Sequence, residues 1–476
     1  MAKDMGAAAL SDEELLVDDL VARARAAQAA FEKDADQARY DNAAAAAAWA
    51  LMEPVRNREL AEMAVTMTGL GNVRDKVVKN HRKTLGLLRD IAGARTQGIV
   101  REDAERGLTI IARPIGVVAA IVPSTNPVAT PANNAINALK CGNAIILAPS
   151  PKGVGVCERL VGYIHAELDK LGLPRDLVQM LPAPASKAKT QRLMETADLL
   201  VVTGSQDNVR RAYSSGTPAV GVGAGNVSVI IDETADLAAA AARITASKTF
   251  DNATSCSSEN ALVIVDAVHD KAMAALAEAG GRMVEGEDAG RLKSALFQDG
   301  GLNRSMIARD IGQVISEAGL IVPDQDDARF LMIPGEGIGP DHPESGEKLS
   351  LVITVYRARD YDDAADIAAR LLRHQGAGHS VGIHTARDDR AIALGLALPT
   401  CRVIVNQPHC FATGGSFENG LPFSLSMGCG SWGGNSIDEN LNYSHFMNTT
   451  KVVRPIPARE VSVEDVLGDY WKVAGK

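Results

Sequence analysis

The sequence predicts an α/β protein built on parallel sheets, and three observations carry that prediction. Short, continuously apolar runs recur after residue 114: "PIGVVAAIVP", "NAIILAP" (143–149), "LVQML" (177–181), "DLLVV" (198–202) and "VSVII" (227–231). Strands that are apolar throughout, without alternation, are covered on both faces. Helical stretches such as 152–171 and 186–196 lie between several of them, which makes βαβ units. Turn-rich loops, "PSTNP", "APSPK" and "VTGSQ", follow the strands at their carboxyl ends, where ligands bind in such sheets. At 476 residues the chain exceeds one compact core and predicts two or three domains.

The elements follow in order. Ser11 and Glu14 have capping-box spacing, and Leu16, Leu20, Val21, Ala24, Ala27 and Phe31 then share one helical face. "DNAAAAAAWALM" (41–52) is a second helix, capped by Asp41 or Asn42. Its alanines read as close helix packing, because Trp49, Leu51 and Met52 continue the apolar pattern; Pro54 marks a break or bend. "ARTQGIVREDAERGLTIIAR" (94–113) reads as a strand pair and "NTTKVVRPIP" (448–457) as one more strand. A second α/β stretch follows a helix at 232–250, through "ALVIV" (261–265), "LVITVYRA" (351–358) and "RVIVNQP" (402–408). The division is a first α/β domain of 1–93 and 114–231, a second of 232–445, and a small strand element of 94–113 with 446–476. A lone hairpin and a lone terminal strand leave open edges, so both are expected to pair with another subunit.

Composition narrows the function. The chain is 46% hydrophobic and 23% charged, with a net charge of −10, which argues against a nucleic-acid partner. The six cysteines, Cys141, Cys157, Cys256, Cys401, Cys410 and Cys429, form no CxxC pair and no cluster with zinc spacing. Free thiols, no bound metal and a reducing, cytoplasmic location are expected. "MAKDMGAAALSDEELLVDDL" has acids where a secretory leader needs an apolar stretch, and no apolar run reaches the length of a membrane span.

Five stretches invite a chemical reading. In "FDNATSCSSENALVIV" (250–265) Cys256 sits among Asn252, Thr254, Ser255, Ser257 and Ser258. A structural cysteine behaves as a small hydrophobe, whereas a nucleophilic one needs a partly polar site. Chemistry alone leaves both readings of Cys256 open. "VGVGAGN" (220–226) precedes a strand, where a dinucleotide fingerprint must open a helix; it is a tight turn or a loop lining a site. "MGCGSWGGNS" (427–436) implies close backbone approach. "HQGAGHSVGIH" (374–384) places His379 after a glycine turn. Basic "KNHRK" (79–83) reads as a solvated helix face in preference to a phosphate site.

In this order and spacing, "PSTNPVATP", "APSPK", "VTGS", "VGVGAGN", "DNATSCSSE", "EKLS", "GAGH" and "GCGSWGGNS" resemble the CoA-acylating branch of the aldehyde dehydrogenases over residues 10–455. The resemblance implies that family's fold: a Rossmann-like cofactor domain, an α/β catalytic domain carrying Cys256, and an oligomerisation strand element. It implies a homodimer or homotetramer. Cys256 matches the nucleophile, Asn126 the amide that holds the oxyanion with the Cys256 N–H, and His379 a histidine of the acylating branch that deprotonates CoA or assists its entry. Ser124, Thr125, Pro149, Ser150, Lys152, Thr203, Gly204, Ser205, Gly223 and Glu347 fall at cofactor-binding positions, with Thr203–Ser205 beside the nicotinamide and Glu347 on its ribose.

Hydrolytic relatives place a glutamate before the nucleophile to activate water, and "VGVGAGN" has no acid, so acyl transfer to CoA is expected. The pattern is most like the sulfoacetaldehyde-type members. The polar segments "TSCSSEN" and "NQPHCFATGGSFENG" suit an anionic tail, with Asn133, Thr254, Ser255, Ser257, His409 and Ser416 as candidate ligands. Succinate semialdehyde and acetaldehyde are the alternative substrates, and an acyl-phosphate reductase or a non-catalytic scaffold the alternative functions. "LAPSPKG" has no acid for the adenosine ribose, and Lys152 suits a 2′-phosphate, which leans toward NADP over NAD.

Overall fold

The computed structural model describes residues 10–298 and 300–476; the reading of the first nine residues as unlike a leader lies outside them. Four helices open the described chain: α1 (Asp12–Glu32), α2 (Gln37–Met52), α3 (Pro54–Thr68) and α4 (Val73–Ile91). Ser11 and Glu14 form the reciprocal capping box. Val17, not the exposed Leu16, completes the buried face of α1. Helix α2 begins before Asp41 because Asp36 caps it, accepting from the Arg39 N–H. Asp41 lies inside the helix and pairs with the buried Lys140 ammonium. Pro54 is the first residue of α3, where its missing N–H costs nothing.

The strand pair appears as β1 (Gly98–Asp103) and β2 (Leu108–Pro114). The first parallel sheet comprises β3 (Val117–Val122), β4 (Ala144–Pro149), β5 (Val178–Met180), β6 (Leu199–Val202) and β7 (Ala219–Gly221), ordered β5-β4-β3-β6-β7. Its crossovers are α5 (Ala129–Lys140), α6 (Val154–Lys170), α7 (Lys187–Thr196) and α8 (Gln206–Tyr213). Strand order reverses between β3 and β6, so the ligand crevice opens at their carboxyl ends. The alanine run of α2 packs against α5 and α6, with Ala43, Ala44, Ala47, Ala48 and Ala50 buried. Trp49, expected in the same apolar pattern, faces outward and is half exposed. Strand β7 escaped the sequence because it is three residues long and ends in glycine.

The second sheet begins with β8 (Val227–Ile231), followed by α9 (Leu237–Thr249), β9 (Glu259–Val265) and β10 (Gly281–Met283). A minor hairpin of β11 (Phe297–Gln298) and β12 (Gly301–Leu302) intervenes before β13 (Phe330–Pro334), β14 (Val352–Ala358), β15 (Val381–His384) and β16 (Val403–Val405). The order is β10-β13-β14-β9-β8-β15-β16, all parallel. Placing β8 in the first domain is thus corrected: it hydrogen-bonds to β9 and β15, and the second sheet starts at Val227. An apolar run shows that a strand is buried, not which sheet buries it.

The terminal strand β17 (Met447–Val453) pairs antiparallel with β2, forming the sheet β1-β2-β17. The expectation that hairpin and tail strand need another subunit for pairing is corrected to this extent: each finds a partner within the chain. Among the described residues no helix is long and apolar enough to cross a membrane.

The contact of α2 with α5 and α6 leaves no room for larger side chains. Ala47→Leu is expected to destabilise the protein by about 1–3 kcal/mol through overpacking, read as a lower urea midpoint at unchanged slope.

Candidate active site

The cysteine loop is built on strained backbone. Helix α9 ends at Thr249, and three consecutive non-glycine residues, Asp251, Asn252 and Ala253, take φ values of 49°, 53° and 59°. Left-handed backbone costs about 1–2 kcal/mol per such residue, so the surroundings must hold it. The amino end of α4 does so. Asp251 Oδ1 accepts from the Asn72 N–H at 2.9 Å, and its Oδ2 accepts from Lys76 Nζ at 3.1 Å, from Lys79 Nζ and from Thr254 Oγ1 at 2.8 Å. The Asp251 N–H donates to Asp75 Oδ2, and Asn252 Nδ2 to Asp310 Oδ1, each at 2.8 Å.

Burial opposes the charge on Asp251, but the Lys79 and Lys76 ammonium groups and the Asn72 N–H outweigh it and hold the carboxyl below its usual range. Burial and the neighbouring Lys79 push Lys76 down to about 8, although Asp251 opposes them. The basic stretch therefore departs from the expected solvated face: Lys76, Lys79 and Lys83 are all buried.

Lys79 also orients the Asn126 amide. Its Nζ donates to Asn126 Oδ1 at 2.9 Å. An ammonium can only donate, so the amide must present its oxygen to Lys79 and its Nδ2–H₂ to the other side. Asn126 lies in the loop after β3 and Thr254 in the cysteine loop, and Lys79 binds both, at 2.9 Å in each case. One side chain thus ties the carboxyl end of the first sheet to the nucleophile segment of the second.

Cys256 Sγ lies 3.4 Å from His379 Nε2. Burial, the Glu347 carboxyl and Cys429 push the thiol up to about 12. Burial and the Arg402 guanidinium push His379 down to about 3, so its imidazole is neutral. A neutral ring beside a protonated thiol offers it a lone pair as a hydrogen-bond acceptor. Arg402 is buried and donates to the His379 carbonyl at 3.0 Å, to the Gly428 carbonyl at 2.8 Å and to Asn440 Oδ1 at 3.0 Å, which locks "GAGH" to "GCGSWGGNS".

The glycine loop lies directly on the nucleophile. A Cβ at Gly225 would sit 2.1 Å from the Cys256 carbonyl oxygen, and one at Gly223 would sit 2.9 Å from Cys429 Sγ. Asn435 Oδ1 accepts from the Gly223 and Cys429 N–H groups at 2.9 Å each, joining the two glycine-rich stretches. "VGVGAGN" is therefore a site-lining loop, too close to Cys256 at Gly225 to carry a side chain.

A family model for the aldehyde dehydrogenases matches residues 3–294. A sulfoacetaldehyde dehydrogenase (acylating) from Cupriavidus necator is 56% identical over 457 residues, covering 96% of this chain and 92% of that protein. The chain belongs to the aldehyde dehydrogenase family. A relative of the same description from Bilophila wadsworthia is 41% identical over 460 residues, covering 95% of this chain and 98% of that one. The acetylating aldehyde dehydrogenase of Geobacillus thermoglucosidasius has this fold, with a TM-score of 0.90 and 33% identity, covering 94% of this chain and 98% of that one.

In this aldehyde dehydrogenase the two sheets meet with opposite ends. Ser124 and Thr125 follow β3, Pro149 ends β4 with Ser150 and Lys152 beyond it, and Thr203, Gly204 and Ser205 follow β6, all at carboxyl ends. Cys256 precedes β9, Glu347 precedes β14 and His379 precedes β15, all at amino ends. Thr203 Oγ1 and Ser426 Oγ, 2.6 Å apart, join the first sheet to the segment before "GCGSWGGNS". The residues fit a nicotinamide coenzyme: Glu347 Oε1 and Ser150 Oγ are buried without a partner, in the positions expected to meet its ribose groups. Burial pushes Glu347 up to about 8 against the pull of Lys248 and Lys348. Ser205 differs in part, since its hydroxyl caps α8 by accepting from the Asn208 N–H.

The substrate candidates divide. Asn133 Nδ2 and Ser257 Oγ are buried without partners. Ser255 Oγ accepts from the Ser257 N–H, and Ser416 Oγ accepts from Arg82 Nη2. Two expectations are corrected. Thr254 donates its hydroxyl to Asp251 and serves the loop clamp. His409 is buried, with Nε2 2.9 Å from Ser380 Oγ, which links it to His379 Nδ1. Lys79, Asp251, Arg402, Asn435 and Ser380 were missed; only the basic spacing around Lys79 offered a signal, and it read as surface.

Three outcomes follow for this dehydrogenase. Lys79→Met should lower kcat/KM by about 10²-fold, as a small misplacement of the Asn126 amide would, while the Cys256 thiol remains titratable by a thiol reagent. Alkylation of Cys256 by iodoacetamide in the coenzyme-free protein should climb with pH without a plateau below about pH 10, because the thiolate is the reactive form. Glu347→Gln removes a charge that opposes the thiolate and should raise the rate at each alkaline pH.

Proposed function

We propose that the protein is a CoA-acylating sulfoacetaldehyde dehydrogenase, which converts the sulfonated aldehyde to its acyl-CoA. One observation carries the acylating part: the loop packed on Cys256, "VGVGAGN", has no carboxylate to activate water, and at Gly225 it has no room for a side chain. The 56% identity to the Cupriavidus necator enzyme over nearly the whole chain supports the substrate.

The chain's own residues perform the following chemistry. His379 takes the Cys256 proton as the sulfur adds to the aldehyde carbonyl, so a free thiolate need not accumulate in the dry site. The oxyanion of the resulting thiohemiacetal is met by Asn126 Nδ2–H₂, aimed by Lys79, and by the Cys256 backbone N–H. Such a donor contributes about 3–4 kcal/mol in acyl-transfer sites. When bound, the nicotinamide accepts the hydride that converts the thiohemiacetal to a thioester. The thiol of CoA then releases its proton to solvent as its sulfur bonds to the thioester carbon; the Cys256 sulfur leaves with the electron pair of the old C–S bond, and His379 returns to it the proton taken earlier. Glu347 binds the coenzyme ribose through its free Oε1. Lys152, exposed beyond β4 in a turn without acids, favours NADP.

The buried, unpartnered donors Ser257 Oγ and Asn133 Nδ2 would hold the sulfonate, with Ser255 and the Arg82–Ser416 pair beside them. The exposed strand β17 at the rim of its sheet supports assembly into a homodimer or homotetramer.

Purified protein with sulfoacetaldehyde, CoA and NADP is expected to reduce the coenzyme only while CoA is present, and faster than with succinate semialdehyde or acetaldehyde. Sustained reduction without CoA would overturn the acylating reading; a faster rate with another aldehyde would overturn the substrate. Asn126→Ala should reduce kcat by about 10²–10³-fold in the same assay.

A further inference from the structure

Behind His379 lies a second titratable ring that the reaction above does not use. His379 Nδ1 is 2.8 Å from Ser380 Oγ, and Ser380 Oγ is 2.9 Å from His409 Nε2. All three residues are buried, and His409 Nδ1 has no partner. With the 3.4 Å contact between Cys256 Sγ and His379 Nε2, the groups form one unbranched chain from the nucleophile into the core of the second domain.

We propose that Ser380 and His409 are a buried proton relay, which draws the Cys256 thiol proton away from the sulfur and holds it at His409 while the cysteine is acylated. The inference rests on the reading of Cys256 as nucleophile and His379 as its proton acceptor.

A hydroxyl between two imidazole nitrogens has one proton, so it donates to one ring and accepts from the other. The chain therefore has two polarities. In the first, Ser380 donates to His409 Nε2, His379 Nδ1 carries hydrogen, and His379 Nε2 turns a lone pair to the thiol. In the second, Ser380 donates to His379 Nδ1, both His379 Nε2 and His409 Nε2 carry hydrogen, and His379 faces the sulfur as a donor. The first suits a thiol and the second a thiolate or thioester sulfur.

One proton converts them. The Cys256 S–H bond breaks and its electron pair stays on sulfur, as the proton forms an N–H bond at His379 Nε2. The Nδ1 proton passes to Ser380 Oγ, and the serine's own proton passes to His409 Nε2. Ser380 and His379 end neutral, and His409 ends as the imidazolium. The reverse sequence reprotonates Cys256 when CoA carries the acyl group off.

Arg402 donates to the His379 carbonyl and disfavours a cation on that ring. The groups facing His409 are His379, His384 and Glu259, whose Oε1 accepts from the His409 N–H at 3.4 Å, with Lys248 bonded to the Glu259 carbonyl oxygen beyond it. Burial disfavours charge on both rings; Arg402 adds to this at His379, and the neighbouring His379 and His384 rings add to it at His409, so the imidazolium at His409 is a transient of the transfer.

Iodoacetamide alkylation of Cys256 tests the relay without any substrate. Ser380→Ala and His409→Gln are each expected to slow it about tenfold near neutral pH and to displace its pH profile upward by about one unit. The double variant should be no slower than either single one, because the groups act as a unit. Ser380→Thr, which keeps the hydroxyl, should restore the wild-type profile. In mixtures of H₂O and D₂O the wild-type rate should curve with deuterium fraction, as transfer of several protons requires.

Single variants that alkylate with the wild-type profile, or a linear dependence on deuterium fraction in the wild type, would overturn the relay. The isotope measurement decides the matter even if a variant fails to fold. CoA-dependent turnover is followed in parallel: its absence in the wild type counts against the proposed function, whereas the alkylation profiles decide the relay by themselves.

Discussion

The site depends on the buried contact between Asp251 and the lysines of α4. Asp251 starts a run of left-handed residues that no local preference would choose, and the run turns the chain from α9 toward Cys256. Its carboxylate is held by Lys76, Lys79, Thr254 and the Asn72 N–H. A buried charge with one partner would be costly, whereas a fully satisfied cluster keeps the strained backbone in place. Lys79 extends the cluster to Asn126, so the force that shapes the Cys256 loop also orients the Asn126 amide.

A second constraint is closeness. Gly225 against Cys256, Gly378 against the Cys429 carbonyl and Gly433 against Cys429 are contacts where a Cβ would overlap neighbouring atoms. They draw three loops into one wall around the thiol, and at Gly225 that wall excludes a side chain capable of activating water. The environment is dry enough that the resting cysteine is a thiol and its histidine is neutral. Such a pair avoids standing charge and develops it only as the carbonyl is attacked. The same dryness suits transfer to a second thiol better than attack by water.

The two sheets divide the work by their ends. The first offers the carboxyl ends of β3, β4 and β6, the usual position for a coenzyme in a doubly wound sheet. The second offers amino ends, and the residues before β9, β14 and β15 bring the thiol, the carboxyl and the imidazole to the first sheet's crevice. The connections crossing between the two sheets, Lys79 to Asn126 and Thr203 to Ser426, fix their relative placement.

The sequence by itself determined the parallel α/β class, the capping box that opens α1 and the apolar runs that form β3, β4, β6 and β8, and it singled out Cys256 as a thiol in a polar loop. These were legible because caps, apolar runs and motif spacing are local properties. Only the tertiary structure decided that β8 belongs to the second sheet, that β17 closes on β2, and that a basic helix stretch is a buried clamp. Each of these depends on a partner far away in the chain, and a lysine's role changes when Asp251 lies 172 residues further on. His409 is the clearest instance: in a polar loop it read as a substrate ligand, and burial behind His379 with Ser380 between them made it part of the proton chemistry.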